Sequence, residues 1–117
     1  MKIIHISDLH IADNGAPIWD TDTCAHFDMA IQRISAESDV DAIFITGDIA
    51  DNGSVWAYEY VDRAMALIGI PTYVCPGNHD WLPNMHMTMN YCQMRRNIKI
   101  GDWNFILLDS TMVDPDD

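Results

Sequence analysis

Residues 41–51 read "DAIFITGDIAD", and this stretch decides the fold. The run from Ala42 to Thr46 is apolar or β-branched without a break, as in a strand covered on both faces. A strand with one wet face would alternate instead. The run stops at Gly47, and two carboxylates follow at Asp48 and Asp51. A buried parallel strand that delivers acidic groups to its carboxyl end fits this pattern.

Working outward, the same arrangement recurs on either side. Upstream, "KIIHIS" (2–7) reads as a first strand and runs into Asp8 and His10. Downstream, "PTYVC" (71–75) reads as a third strand and runs into Asn78, His79 and Asp80. Between strands one and two the pattern is helical from about Thr21, with Phe27, Ala30, Ile31 and Ile34 on one face and Asp and Thr ahead of them as N-caps. Between strands two and three, Ser54 caps a second helix whose Val61, Met65 and Ile68 share a face, and Gly69 and Pro71 stop it. Residues 82–94 read as a short helix with Met85, Met89 and Cys92 on one side. Residues 97–110 read as two strands around a Gly-Asp turn, and the acidic tail 111–117 as turn. No repeat or linker interrupts the order, so residues 1–117 are expected to form one domain. Alternation of strand and helix implies an α/β fold with a mainly parallel sheet.

Composition narrows the function. Eighteen acidic residues against six basic ones give a net charge of −12. Too few cations are available to neutralise a polynucleotide or an anionic membrane surface. A small phosphate-bearing substrate stays compatible if divalent cations intervene, because they reverse the local field. The cysteines, Cys24, Cys75 and Cys92, are odd in number and match no zinc spacing. Reduced thiols in a cytoplasmic protein are the expectation. The N-terminus is too short and polar in its apolar run for a signal peptide, and no segment approaches membrane-spanning length.

The polar residues at the strand ends carry the chemistry. Parallel strands place Asp8 and His10, Asp48 and Asp51, and Asn78, His79 and Asp80 on one rim. Carboxylate oxygens and imidazole nitrogens suit Mn, Fe, Zn or Mg, and an amide oxygen is a neutral hard ligand. Two ions roughly 3.5–4 Å apart can clamp an in-line displacement at phosphorus. Each cluster alone has a plainer reading: Asp-x-His as a cap, "GD" as a turn, "GNHD" as a turn held by Asn and Asp. All three in order at successive strand ends favour a metal site.

Asp8-Leu9-His10, Gly47-Asp48-Ile49-Ala50-Asp51 and Gly77-Asn78-His79-Asp80 resemble the first three blocks of the calcineurin-like metallophosphoesterases. "ISDLHI", "ITGDIADNGS", "GIPTYVCPGNHD" and "GDWNFILLDS" are most similar to the bacterial class III cyclic-nucleotide phosphodiesterase branch, from Met1 to about Thr111. The resemblance implies a layered α/β sandwich, of which this chain has strands for about one sheet plus flanking helices. It implies a phosphodiesterase that uses two divalent metal ions and a hydroxide held between them, with a small phosphodiester or phosphomonoester as substrate. Asp8 and His10 would hold the first metal, Asp48 would bridge both, and Asn78 would bind the second. His79 would be the catalytic proton donor facing the leaving group, and Asp51 the carboxylate orienting it.

The family's later histidine blocks have no counterpart after Asp80, where the remaining histidine is His86. The chain therefore resembles the N-terminal half, with weak or no activity expected in isolation. Two alternatives stand beside the enzyme: a non-catalytic metal- or partner-binding remnant, and one half of a split enzyme completed by a C-terminal partner. A missing second sheet would leave an apolar face and favour self-association. Among smaller signals, the Met-rich "MHMTM" (85–89) suits a soft copper(I) ion but is better read as helix packing. His5 is expected to be a hydrogen-bonded core histidine, His26 a surface residue, and Asp109 either a support of the rim or a turn residue.

Overall fold

Three parallel strands build the main sheet: β1 (Ile3–Ile6), β2 (Ala42–Thr46) and β3 (Thr72–Cys75), in the order β1-β2-β3. A computed structural model gives this architecture, and it describes residues 1–111. Residues 112–117, most of the tail expected to be turn, lie outside the described residues. The central place of β2 explains its unbroken apolar run, since Ala42 to Ile45 are all buried.

The helices α1 (Thr23–Ser35), α2 (Val55–Ile68) and α3 (Leu82–Thr88) connect to this sheet, and a hairpin follows of β4 (Asn97–Ile100) and β5 (Trp103–Ile106). Side chains alternate across the sheet, and the core divides accordingly. Ile43 and Ile45 of β2 join Phe27 and Ile34 of α1, Tyr58, Val61 and Met65 of α2, and Met85 of α3 in one cluster. Phe44 points the other way and packs with Ile98 and Leu107. Its ring lies 5.1 Å from that of Phe105 and 5.7 Å from that of Tyr73. Helices thus cover one face of the sheet and the hairpin covers part of the other. Each fully buried large apolar side chain contributes roughly 1.5–3 kcal/mol.

The helix ends follow the sequence. Asp22 accepts a hydrogen bond from the Ala25 N–H (3.0 Å), and Ser54 Oγ accepts one from the Ala57 N–H (3.2 Å). Gly69 ends α2 in the left-handed conformation, with its N–H on Met65 O at 3.0 Å.

Two expectations are corrected. Strand β1 is half-buried rather than covered on both faces, and His5 is exposed. His5 shares the Phe44 face by register, but β1 is an edge strand, and the cluster under the hairpin takes in residues of β2 and β3 and only Ile3 of β1. The histidine keeps a hydrogen bond, to Thr46 Oγ1 at 2.5 Å. The third helix stops at Thr88 instead of reaching residue 94. The buried Asp62 of α2 causes the stop. Its carboxylate accepts the N–H groups of Asn90 (3.1 Å), Tyr91 (3.1 Å) and Cys92 (2.8 Å), so these amides cannot continue a helix. The released chain then pairs with β3, where the Gln93 N–H donates to Thr72 O and the Val74 N–H to Gln93 O, both at 2.9 Å. Met85, Met89 and Cys92 are buried as expected while His86 and Met87 are exposed, so packing accounts for two of the three thioethers of the Met-rich stretch. His26 is exposed and the three cysteines are free.

Candidate metal centre

The carboxyl ends of β1, β2 and β3 open onto one rim, and the loops there continue the sheet's own pairing. The Asp8 N–H donates to Gly47 O (3.1 Å), the His10 N–H to Asp48 O (2.9 Å) and the Ile11 N–H to Ile49 O (3.0 Å). Ile11 and Ala50 form a parallel bridge beyond the strands proper. Within this pairing Asp8 (φ 58), His10 (φ 49) and Asp48 (φ 49) all take the left-handed backbone conformation. Such conformations cost on the order of 1–3 kcal/mol each for residues with a side chain and gather at functional sites. Here they turn successive side chains out of the sheet toward a common point.

That point is defined by short distances. His10 Nε2 lies 3.6 Å from Asp48 Oδ2 and 4.0 Å from Asp8 Oδ1. On the far side of the ring, His10 Nδ1 is 3.2 Å from Asp51 Oδ1. An Nδ1–H donating to this carboxylate leaves the Nε2 lone pair aimed at Asp8 and Asp48, the orientation a metal-binding imidazole needs. The Asp48 side chain is only 15% exposed, and no lysine or arginine pairs with these carboxylates among the described residues.

The third strand end closes the arrangement. The His79 N–H donates to Asp48 Oδ1 at 2.9 Å, and the rings of His10 and His79 meet edge to face at 5.0 Å. His79 Nδ1 lies 2.8 Å from the Asp51 carbonyl oxygen and 3.8 Å from its carboxylate. The Asp51 carboxylate is thus nearer to His10 than to His79, and its backbone carbonyl is what holds His79. This hydrogen bond, aided by the charges of Asp48, Asp51 and Asp80, raises the His79 pKa above the ordinary histidine value. Its Nε2 has no hydrogen bond among the described residues. Asn78 is exposed and lines, with Asp8, Asp48 and Gly77, a cleft bounded across from them by Leu108, Ser110 and Thr111. Asp109 does not reach this cluster; it accepts both the N–H and the hydroxyl of Thr111, a turn role.

Two glycines make the close approach possible. Gly47 has φ 85, which side chains rarely adopt. At Gly77 a Cβ would sit 2.3 Å from both the N and the Oδ1 of Asp48.

Sequence reasoning missed what locks the rim together. Asp80 accepts from the Gly77 N–H (2.8 Å), the Ala50 N–H (2.9 Å), the Ile49 N–H (3.2 Å) and the Tyr58 hydroxyl (2.8 Å). One carboxylate therefore ties the second block to the third and both to α2. Tyr58 also accepts from the Trp81 N–H at 2.9 Å. Its burial pushes the hydroxyl pKa up, so it remains a donor. The acid after His79 was a visible signal, whereas Tyr58 sits on a helix with nothing in its spacing to mark it.

The family description "Calcineurin-like phosphoesterase" matches residues 1–111. The chain belongs to the calcineurin-like phosphoesterases. Its similar relatives include a 3′,5′-cyclic-nucleotide phosphodiesterase of Nostoc sp., 30% identical over 97% of this chain and 44% of the relative. They also include a 3′,5′-cyclic adenosine monophosphate phosphodiesterase of Pseudomonas aeruginosa, 29% identical over 94% of this chain and 42% of the relative. The Escherichia coli enzyme of that name is 28% identical over 94% of this chain and 42% of its own. The chain spans about half the length of the curated relatives it matches.

Calcineurin-like phosphoesterases work with divalent metal ions, and the donors present suit them. Two groups converge among the described residues: Asp8, His10 and Asp48, and His10, Asp51 and His79, each with one atom per residue within 4.8 Å of the others. The first group presents two carboxylates and an imidazole whose other nitrogen is already engaged, and this set fits a hard or borderline divalent cation. No helix among the described residues is long and apolar enough to cross a membrane.

Proposed function

We propose that this chain supplies the metal-binding half of a dinuclear phosphodiesterase acting on a small phosphodiester, with a cyclic nucleotide as the best-suited class. The observation that carries the reading is the convergence of Asp8, His10 and Asp48 at the ends of parallel strands, with His79 against Asp48. Asp8, His10 and Asp48 would hold one ion, and Asp48 and Asn78 would face a second. Divalent ions supply Lewis acidity and lower the pKa of water at such a site.

The chain's own residues do the rest. Asp51 holds His10 by Nδ1 and thereby keeps Nε2 free as a ligand. The Asp51 carbonyl takes His79 Nδ1–H, so the cationic ring has its second proton on the unengaged Nε2. As water oxygen bonds to phosphorus, the opposite phosphorus–oxygen bond breaks, and His79 gives that proton to the departing oxygen. Asp48 serves twice, since the oxygen that accepts the His79 N–H keeps the proton donor in register with the ligand set.

Four ligands are few for two ions. In this reading the others come from a segment or partner polypeptide beyond these 117 residues. The test uses the chain with manganese and bis-p-nitrophenyl phosphate. Slow hydrolysis that falls at least about tenfold in Asp48→Asn is expected, as is manganese uptake by calorimetry that the same variant abolishes. Manganese binding without any Asp48-dependent hydrolysis would favour a non-catalytic metal-binding module instead. Neither binding nor hydrolysis would overturn both.

A further inference from the structure

A tryptophan stands where the backbone disfavours it. Ile18 and Thr21 exchange hydrogen bonds, Ile18 N–H to Thr21 O at 2.9 Å and Thr21 N–H to Ile18 O at 2.8 Å. The two residues between them, Trp19 (φ 48) and Asp20 (φ 62), both lie in the left-handed region. This is a two-residue turn with positive φ at both central positions, a geometry that favours Asn-Gly. A bulky aromatic side chain there is an outlier. Trp19 is also 93% exposed, so packing in the fold does not explain it.

The ring overlooks a cleft of about 370 Å³ between this turn and α1. Leu9, Ile18, Phe27 and Ala30 give it apolar walls, and Thr21, Thr23 and His26 place polar groups along it. Asp8 and His10 line the same cleft. The apolar space therefore begins at the candidate metal ligands and ends under an exposed indole. Strain and exposure at one residue, beside a pocket continuous with a reactive centre, point to a ligand that repays them.

We infer that this cleft holds the purine base of a nucleotide, stacked on Trp19, while its phosphate meets the cations that Asp8 and Asp48 would hold; the second clause rests on the function proposed above. A flat aromatic ring suits the apolar walls, and its ring nitrogens and exocyclic amine suit the threonines and His26. Base–aromatic stacking is sequence-tolerant and strong enough to shift affinity by about tenfold or more.

The test is saturation-transfer NMR on the chain with adenosine, adenosine 5′-monophosphate and ribose 5-phosphate, for the wild type, Trp19→Gly and Trp19→Phe. Adenosine should receive saturation mainly on its adenine protons in the wild type and in Trp19→Phe. Trp19→Gly should weaken adenosine by about tenfold while unfolding at the same or a higher temperature, because glycine takes positive φ freely. A residue with only a structural role would not lower affinity while sparing stability. The inference fails if adenosine does not bind, if its ribose receives the saturation, or if Trp19→Gly binds it as the wild type does. Adding manganese separates the two claims. Tighter binding of adenosine 5′-monophosphate than of adenosine supports the phosphate position, and equal binding defeats that clause and leaves the base cleft intact.

Discussion

At the scale of single residues, the rim depends on contacts that admit no added atoms. Gly77 passes so close to Asp48 that a methyl group would overlap both its amide nitrogen and its carboxylate. Both groups are fixed, the nitrogen by the chain and the carboxylate by the His79 N–H. Gly77→Ala is therefore expected to displace the third block and to cost about 3 kcal/mol, read as a lower urea midpoint, together with loss of manganese affinity. An unchanged midpoint would show that the two loops have more room than their spacing allows. The candidate ligands were legible in the sequence because carboxylate, imidazole and amide occur in order just after apolar runs. The roles of Asp51 were less so. Spacing cannot reveal that its carboxylate lies nearer to His10 while its carbonyl takes His79.

At the scale of elements, the strands and the first two helices follow from local pattern, and the third helix does not. Residues 82–94 have helical spacing throughout, yet the chain leaves the helix at Thr88. The cause lies in another element, in the carboxylate of Asp62, which takes three consecutive backbone amides. Asp62→Ala would strand the buried Cys92 amide and the part-buried Asn90 and Tyr91 amides, and an unsatisfied buried donor costs about 1–3 kcal/mol. A loss of about 3 kcal/mol in denaturant unfolding is expected, with manganese binding preserved in the folded fraction because the rim does not include Asp62. Equal loss of metal affinity would mean that α2 and the rim are coupled through more than Asp80. The half-burial of β1 has the same origin. A run of isoleucines says that a strand forms, and the extent of cover comes from what packs on it.

At the scale of the whole molecule, cover is incomplete. The hairpin carries Trp103 (63% exposed) and Ile106 (67%), and Leu108 (77%) follows it. Beta-strand 5 pairs with β4 alone among the described residues, so its other edge presents unpaired amides beside apolar side chains. Such an edge invites pairing with another strand. Concentration-dependent association in sedimentation is expected, and Ile106→Lys should shift it toward monomer; a wild type that stays monomeric at millimolar concentration would refute this. Against that open edge, the pairing that runs past β1 and β2 into the loops has a different consequence. The amides of Asp8, His10 and Ile11 are bonded to the chain of the second block as strand amides are. The first two candidate ligand loops are therefore expected to exchange their amide hydrogens as the strands do. On that pairing, these two loops should come apart with the sheet, and their share of the site should be lost in one cooperative event.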